Sequence, residues 1–187
     1  MLPESIDQQI LALERQELDA PNGVGTVQLY TELFALYLFK NELSQARFLW
    51  KRIPQNIKTG NVELERMLTV LQCLWSNKNV EFYKAITFEW SKPIAKVMGE
   101  LKEKIQAETI NLIGRAYSSI FENVFSDMTN HSPDAVTETC KSLNWEIIEG
   151  PFPRLIIPKK PPVEKIVFTS CEEQLQKLTD FVSFLEN

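Results

Sequence analysis

The sequence predicts a mainly α protein: a helical-repeat domain, then a small winged-helix module, then one C-terminal helix. Three observations predict it. Apolar residues recur at helical spacing, broken by short polar turns, from the start to about residue 122. After Phe121 the texture changes to short helices and short alternating runs around prolines. The last residues, "QLQKLTDFVSFLEN", carry a wide apolar stripe to the end of the sequence.

The elements follow in order. Ile6, Ile10 and Leu13 mark a first helix from Pro3 to about Leu18, and "DAPNGVG" breaks it with Pro, Asn-Gly and a second Gly. Thr26 is placed as N-cap of the next helix, "VQLYTELFALYLFK". That helix is apolar nearly all round from Leu33 to Phe39, which predicts a central position covered on several sides. Asn41, in the turn "KNE", suits a left-handed C-terminal cap. Leu43, Ala46, Leu49, Trp50 and Ile53 form the returning helix, so the pair is an antiparallel hairpin. Leu64, Met67, Leu68, Leu71, Leu74 and Trp75 mark the next helix, with "SNKNV" as the turn after it. Phe82, Tyr83, Ile86 and Trp90 mark another, which ends near Ser91.

Pro93 opens a helix on Ile94, Val97, Met98 and Leu101. The polar interval "KEKIQAET" is expected to bend or break it before a further helix on Ile105, Leu112, Ile113, Ala116, Tyr117, Ile120 and Phe121. No strand is expected before residue 122. Such a stack of hairpins is like an α-solenoid of imperfect repeats.

Beyond it, "ENVFSDMTNH" reads as a short helix. "SPDAVTETCKSLNW" reads as a second, with Ser132 as N-cap, Pro133 at its first position, and Val136, Cys140 and Leu143 on one face. "WEIIEG", "PRLIIPKK" and "EKIVFTS" read as short strands. The order helix, helix, strand, strand is that of a winged helix. The expected divisions are residues 1–122, 123–170 and 171–187.

On the terminal helix, Leu175, Leu178, Val182 and Leu185 form a seam. Phe181 and Phe184 widen it to about half the circumference at ~100° per residue. A helix docked on one surface needs a stripe of little more than about 100°. The width therefore points to several neighbours. The six residues are the candidate partner-binding face.

Composition excludes several functions. With a net charge of −5 and pI near 5.1, the chain lacks the electrostatic footprint of a nucleic-acid or acidic-membrane binder. The helix from Ser132 to Leu143, placed like a recognition helix, sets Asp134 and Glu138 against a single Lys141. Arg154, Lys159 and Lys160 read as a solvated edge. The apolar run "LFALYLF" is too short to span a bilayer, and the N-terminus does not read as a signal peptide. Three widely spaced cysteines, Cys73, Cys140 and Cys171, read as reduced thiols of a cytosolic or nuclear protein. A single histidine, His131, is expected in an exposed loop. It cannot build a zinc hydrolase or activate the Cys140 thiol. Gly23 and Gly25 belong to a turn and do not cradle a phosphate, so no cofactor or small-molecule substrate is expected. The aromatic side chains Tyr30, Phe34, Tyr37, Phe48 and Trp50, which could line a peptide groove, are read as core.

Two long stretches carry a resemblance. "ELDAPNGVGTVQLYTELFALYLFKNELSQARFLWKRIP" and the terminal "EEQLQKLTDFVSFLEN" resemble the family of the small eighth subunit of the COP-nine signalosome. "INLIGRAYSSIFENVFSDMTNHSPDAVTETCKSLNWEI" is similar to the winged-helix half of a PCI domain, the fold of proteasome-lid, signalosome and initiation-factor scaffolds. The short, Pro-broken "PFPRLIIPKKPP" departs from a full wing.

The resemblance implies a non-catalytic scaffold in the complex that removes the ubiquitin-like modifier from cullin ubiquitin ligases. Winged helices would join edge to edge, here through Leu155, Ile156, Ile157, Ile166, Val167 and Phe168. Terminal helices would gather into a bundle. The implied partners are PCI-type subunits, the third among them, in cytoplasm and nucleus. The alternatives are a proteasome-lid scaffold subunit and a winged-helix nucleic-acid binder.

Overall fold

In the computed structural model, which describes residues 3–148, 150, 154–160 and 171–186, helices dominate and two hydrophobic cores lie in sequence. The first core is built by α1 (Pro3–Leu18), α2 (Val27–Lys40), α3 (Leu43–Arg52), the short α4 (Gln55–Thr59), α5 (Val62–Trp75), α6 (Asn79–Ile86) and the first half of α7 (Lys92–Ala116).

The local signals in the sequence are where the chain uses them. Thr26 Oγ1 accepts from the Leu29 amide at 3.2 Å and starts α2. Asn41 caps the same helix in the left-handed region, φ 64°. Gly25 matters by close approach. Its amide donates to the Tyr30 hydroxyl at 2.9 Å, and a Cβ there would lie 3.2 Å from Leu29 Cδ2 and 3.3 Å from Tyr30 Cζ. α2 is central as its pattern requires: Leu33, Phe34, Ala35, Tyr37 and Leu38 are all buried among α1, α3, α5 and α7. Polar ties brace its neighbours. Arg52 donates from Nε and Nη2 to the two Glu17 carboxylate oxygens at 3.1 and 2.8 Å, joining α3 to α1. Tyr37 donates to Glu14 at 2.6 Å, and burial, then Glu14, pushes its phenol pKa well up.

The second core lies beyond the middle of α7. Ile113, Ile120, Phe125, Val136, Cys140 and Ile156 form it, with Ile110, Met128, Trp145 and Ile147 packed against it. Its elements are the end of α7, β1 (Ile120–Phe121), α8 (Glu122–Thr129), α9 (Pro133–Ser142), β2 (Glu146–Ile148) and β3 (Leu155–Ile157). The strands pair antiparallel in the order β1-β3-β2, with Ile156 opposite both Ile120 and Ile147. Helix, strand, helix, helix, strand, strand is the full order of a winged helix. α10 (Cys171–Glu186) follows.

Four expectations need correction. Ile120 and Phe121 are a strand: α7 ends at Ala116, and the pair is too short to show a strand period. "KEKIQAET" neither bends nor breaks the chain, because α7 is one helix of 25 residues. The helix expected to run through Trp90 to near Ser91 ends at Ile86, and Trp90 lies beyond it. His131 is half-buried, not exposed. α4 carries no strong apolar period and was not anticipated, and the expected strand "EKIVFTS" lies outside the described residues.

Polar contacts brace α7 and join the two halves. Lys104 of α7 donates to the Phe39 carbonyl at the end of α2, at 2.7 Å, and lies over the Phe39 ring. Asn79 of α6 donates to the Met128 carbonyl of α8 at 3.2 Å. Gln106 of α7 donates from Nε2 to the Thr129 carbonyl at 2.7 Å, and the same nitrogen lies 3.2 Å from His131 Nδ1. Nδ1 accepts from that amide only while the ring is neutral. Burial likewise lowers the His131 pKa below its ordinary 6.5.

Two outcomes are expected. Phe125 is fully buried, edge-on to Trp145 at 6.1 Å and near the His131 ring at 6.3 Å. Phe125→Ala should cost about 3–5 kcal/mol and erase the near-ultraviolet dichroism of Trp145. The second outcome concerns pH. As pH falls below 6.5 the unfolded chain takes up the His131 proton before the folded one does. Folding stability is thus undiminished above that value and declines below it until the folded ring also protonates. Denaturant melts between about pH 7.5 and 5.5 should show this loss in the wild type and less of it in His131→Gln.

Candidate functional site

Among the described residues, α10 is the element whose large apolar side chains stay exposed. All described residues from 174 to 186 are exposed. Leu175 is 62% exposed, Leu178 61%, Phe181 62%, Val182 49%, Phe184 77% and Leu185 68%. The helix turns these six onto one half of its surface, with Asp180 and Glu186 outside that half and Lys177 on its Phe184 side. The apolar residues of both cores, by contrast, are almost fully shielded. An exposed apolar face of this extent is unusual on a monomeric protein.

The sheet gives a different result for the second set of candidates. β3 is the central strand, hydrogen-bonded to β1 on one side and β2 on the other. Leu155, Ile156 and Ile157 therefore cannot offer the free edge expected of them, and Ile156 is fully buried in the second core. The reason is topological: β1 comes from before α8 and occupies the side of β3 that the sequence pattern left open. Among the described residues the outer strands are β1 and β2. They carry exposed Phe121 and Ile148, which the sequence reading did not select. Ile166, Val167 and Phe168 lie outside the described residues.

Among the described residues, Cys73, Cys140 and His131 are packed into the fold. Cys73 and Cys140 are buried thiols whose pKa values burial pushes up, which keeps them protonated and unreactive. His131 is held by Gln106. Among the described residues no group of three His, Cys, Asp or Glu side chains could hold a metal ion, and no helix is long and apolar enough to cross a membrane. On α9, Asp134 lies in the first turn and Lys141 in the last, an arrangement that suits the helix dipole and does not suit phosphate binding. Arg154 faces Glu122 at 3.7 Å, which removes one cation from the basic spot near the wing.

Comparison with known proteins agrees with this architecture. The CSN8/PSMD8/EIF3K family matches residues 26–165. A zebrafish (Danio rerio) protein named COP9 signalosome complex subunit 8 is 38% identical over 100% of this chain and 97% of its own length. The Xenopus laevis protein of that name is 34% identical, over 93% of this chain and 89% of its own. That of Drosophila melanogaster is 35% identical over 86% of each. The chain belongs to the CSN8/PSMD8/EIF3K family.

Proposed function

We propose that this chain is a non-catalytic scaffold subunit of the COP9 signalosome. In that role it supports assembly of the complex that removes the ubiquitin-like modifier from cullin-RING ubiquitin ligases. One observation carries the reading: a helix with half its circumference apolar and every described side chain exposed, in a chain that aligns almost end to end with signalosome relatives. A lone helix of this length is marginal in water. Its apolar face is stable when other helices cover it, and a stripe this wide requires more than one.

The partners are therefore other signalosome subunits. α10 enters a bundle with several of them through Leu175, Leu178, Phe181, Val182, Phe184 and Leu185. The winged-helix sheet adds a second contact with a neighbouring PCI-type subunit, the third among the candidates. Since β3 is central, that contact uses an outer strand, β1 or β2. The complex works in cytoplasm and nucleus. The relatives' shared signalosome name favours this reading over a proteasome-lid subunit.

Leu178→Glu with Phe181→Glu tests it. Both side chains are more than half exposed, so the free chain should keep its circular dichroism and its melting behaviour to within about 0.5 kcal/mol. Two carboxylates inside a helix bundle should abolish co-assembly with the other subunits, read by native mass spectrometry. Full incorporation of the double variant would remove α10 from the assembly mechanism.

A further inference from the structure

A second surface lies on the flank of the first core. α3 and α5 pack side by side and leave a groove of about 470 Å3 lined by Arg47, Trp50, Lys51, Leu68, Leu71 and Trp75. Of the early aromatic residues read as core, Tyr30, Phe34 and Tyr37 are buried in it, whereas Phe48 is exposed. Trp50 is only half-buried and lines this groove, and Trp75 is 52% exposed in it. The floor is apolar, with Leu71 buried and Leu68 half-buried.

The rim is cationic. Arg47 and Lys51 stand one helical turn apart on α3, and Lys58 of α4 reaches the same flank. The Arg47 guanidinium carbon sits 5.4 Å from the Trp75 ring centroid, and Lys58 Nζ sits 5.1 Å from that of Trp50. Among the described residues none of these three cations forms an ion pair. Lys40, Arg52, Lys78, Lys96, Lys104 and Arg154, by contrast, all face carboxylates. α3 itself contains no acidic residue. Glu65, one turn before Leu68 on α5, does not line the groove. In a chain of net charge −5, this is a local positive surface around an apolar trough.

We infer that the α3–α5 groove docks a short acidic segment of a partner protein. The segment seats a bulky apolar side chain on Leu68 and Leu71, between the tryptophans, and sets its carboxylates against Arg47, Lys51 and Lys58. Charge complementarity selects the occupant. Carboxylates satisfy the three cations, and an apolar anchor fills a trough that water solvates poorly. A single-stranded nucleic acid would also meet cations and aromatic rings, but it binds by stacking bases on ring faces. Here each tryptophan already holds a cation over its ring. This surface is separate from α10 and does not depend on the assembly role of that helix.

The test is a peptide-display selection on the full-length chain. Arg47→Glu with Lys51→Glu serves as the paired variant, and both side chains are exposed, so the fold should be unaffected. Enriched peptides should be net acidic, contain a large apolar residue and shift the tryptophan emission on binding. They should bind the double variant at least about tenfold more weakly, at unchanged circular dichroism. Trp75→Ala should also weaken them. The inference is overturned if no peptide is enriched, if those enriched carry no acidic bias, or if they bind the double variant equally well. Salt-sensitive binding of oligothymidylate that the same double variant abolishes would overturn it in favour of a nucleic acid.

Discussion

The continuity of α7 is the constraint on which the rest depends. Its first half gives Ile94, Met98 and Leu101 to one core, and its last turns give Ile110 and Ile113 to the other. At about 1.5 Å per residue a helix of 25 residues is roughly 37 Å long, enough to serve two cores in sequence. A break at its middle would leave the winged helix on a flexible tether. The unbroken helix makes it an extension of the repeat domain. Trp145 is fitted to the same helix: a Cβ at Gly114 would lie 3.0 Å from Trp145 Cζ2, so only a glycine lets the indole lie against the α7 backbone there.

This explains why the middle of α7 misleads in the sequence. "KEKIQAET" has few apolar residues, and a polar interval between apolar runs ordinarily signals a turn. Here the polar residues are the fasteners. Lys104 reaches the Phe39 carbonyl of α2, Gln106 holds the end of α8 through the Thr129 carbonyl, and the Thr109 hydroxyl donates back to Ile105 within the helix. Hydrophobic periodicity reports burial against apolar neighbours. It is silent where a helix crosses between two cores and packs through hydrogen bonds.

Legibility elsewhere divides along the same physical line. Features set by a residue and its near neighbours were readable: the Thr26 and Ser132 caps, Asn41 in the left-handed region, the all-round burial of α2. Features set by pairing across the chain were not. β1 is two residues long, and only its register against Leu155 and Ile156 makes it a strand. The order β1-β3-β2 then decides that Leu155, Ile156 and Ile157 are central, a fact contained in no local pattern. The same holds for His131, whose burial depends on Gln106 and Phe125.

α2 and α10 show what a pattern can and cannot specify. Both are helices of similar length with more apolar residues than one contact can use. In α2 the excess is absorbed, because α1, α3, α5 and α7 surround it and its inward side chains reach nearly complete burial. In α10 the same excess stays in solvent, with Phe184 at 77%. Sequence determines how much apolar surface a helix presents and how wide its stripe is. It does not say which chain supplies the cover. For α2 the nearest turns, "DAPNGVG" before it and "KNE" after it, are short enough to force neighbours onto it. α10 is separated from the last described residue before it, Lys160, by ten residues, a longer connection than the turns that hold α2 to its neighbours. Among the described residues, its cover would have to come from elements already engaged with one another. That is the arrangement expected of an element whose partners are other molecules.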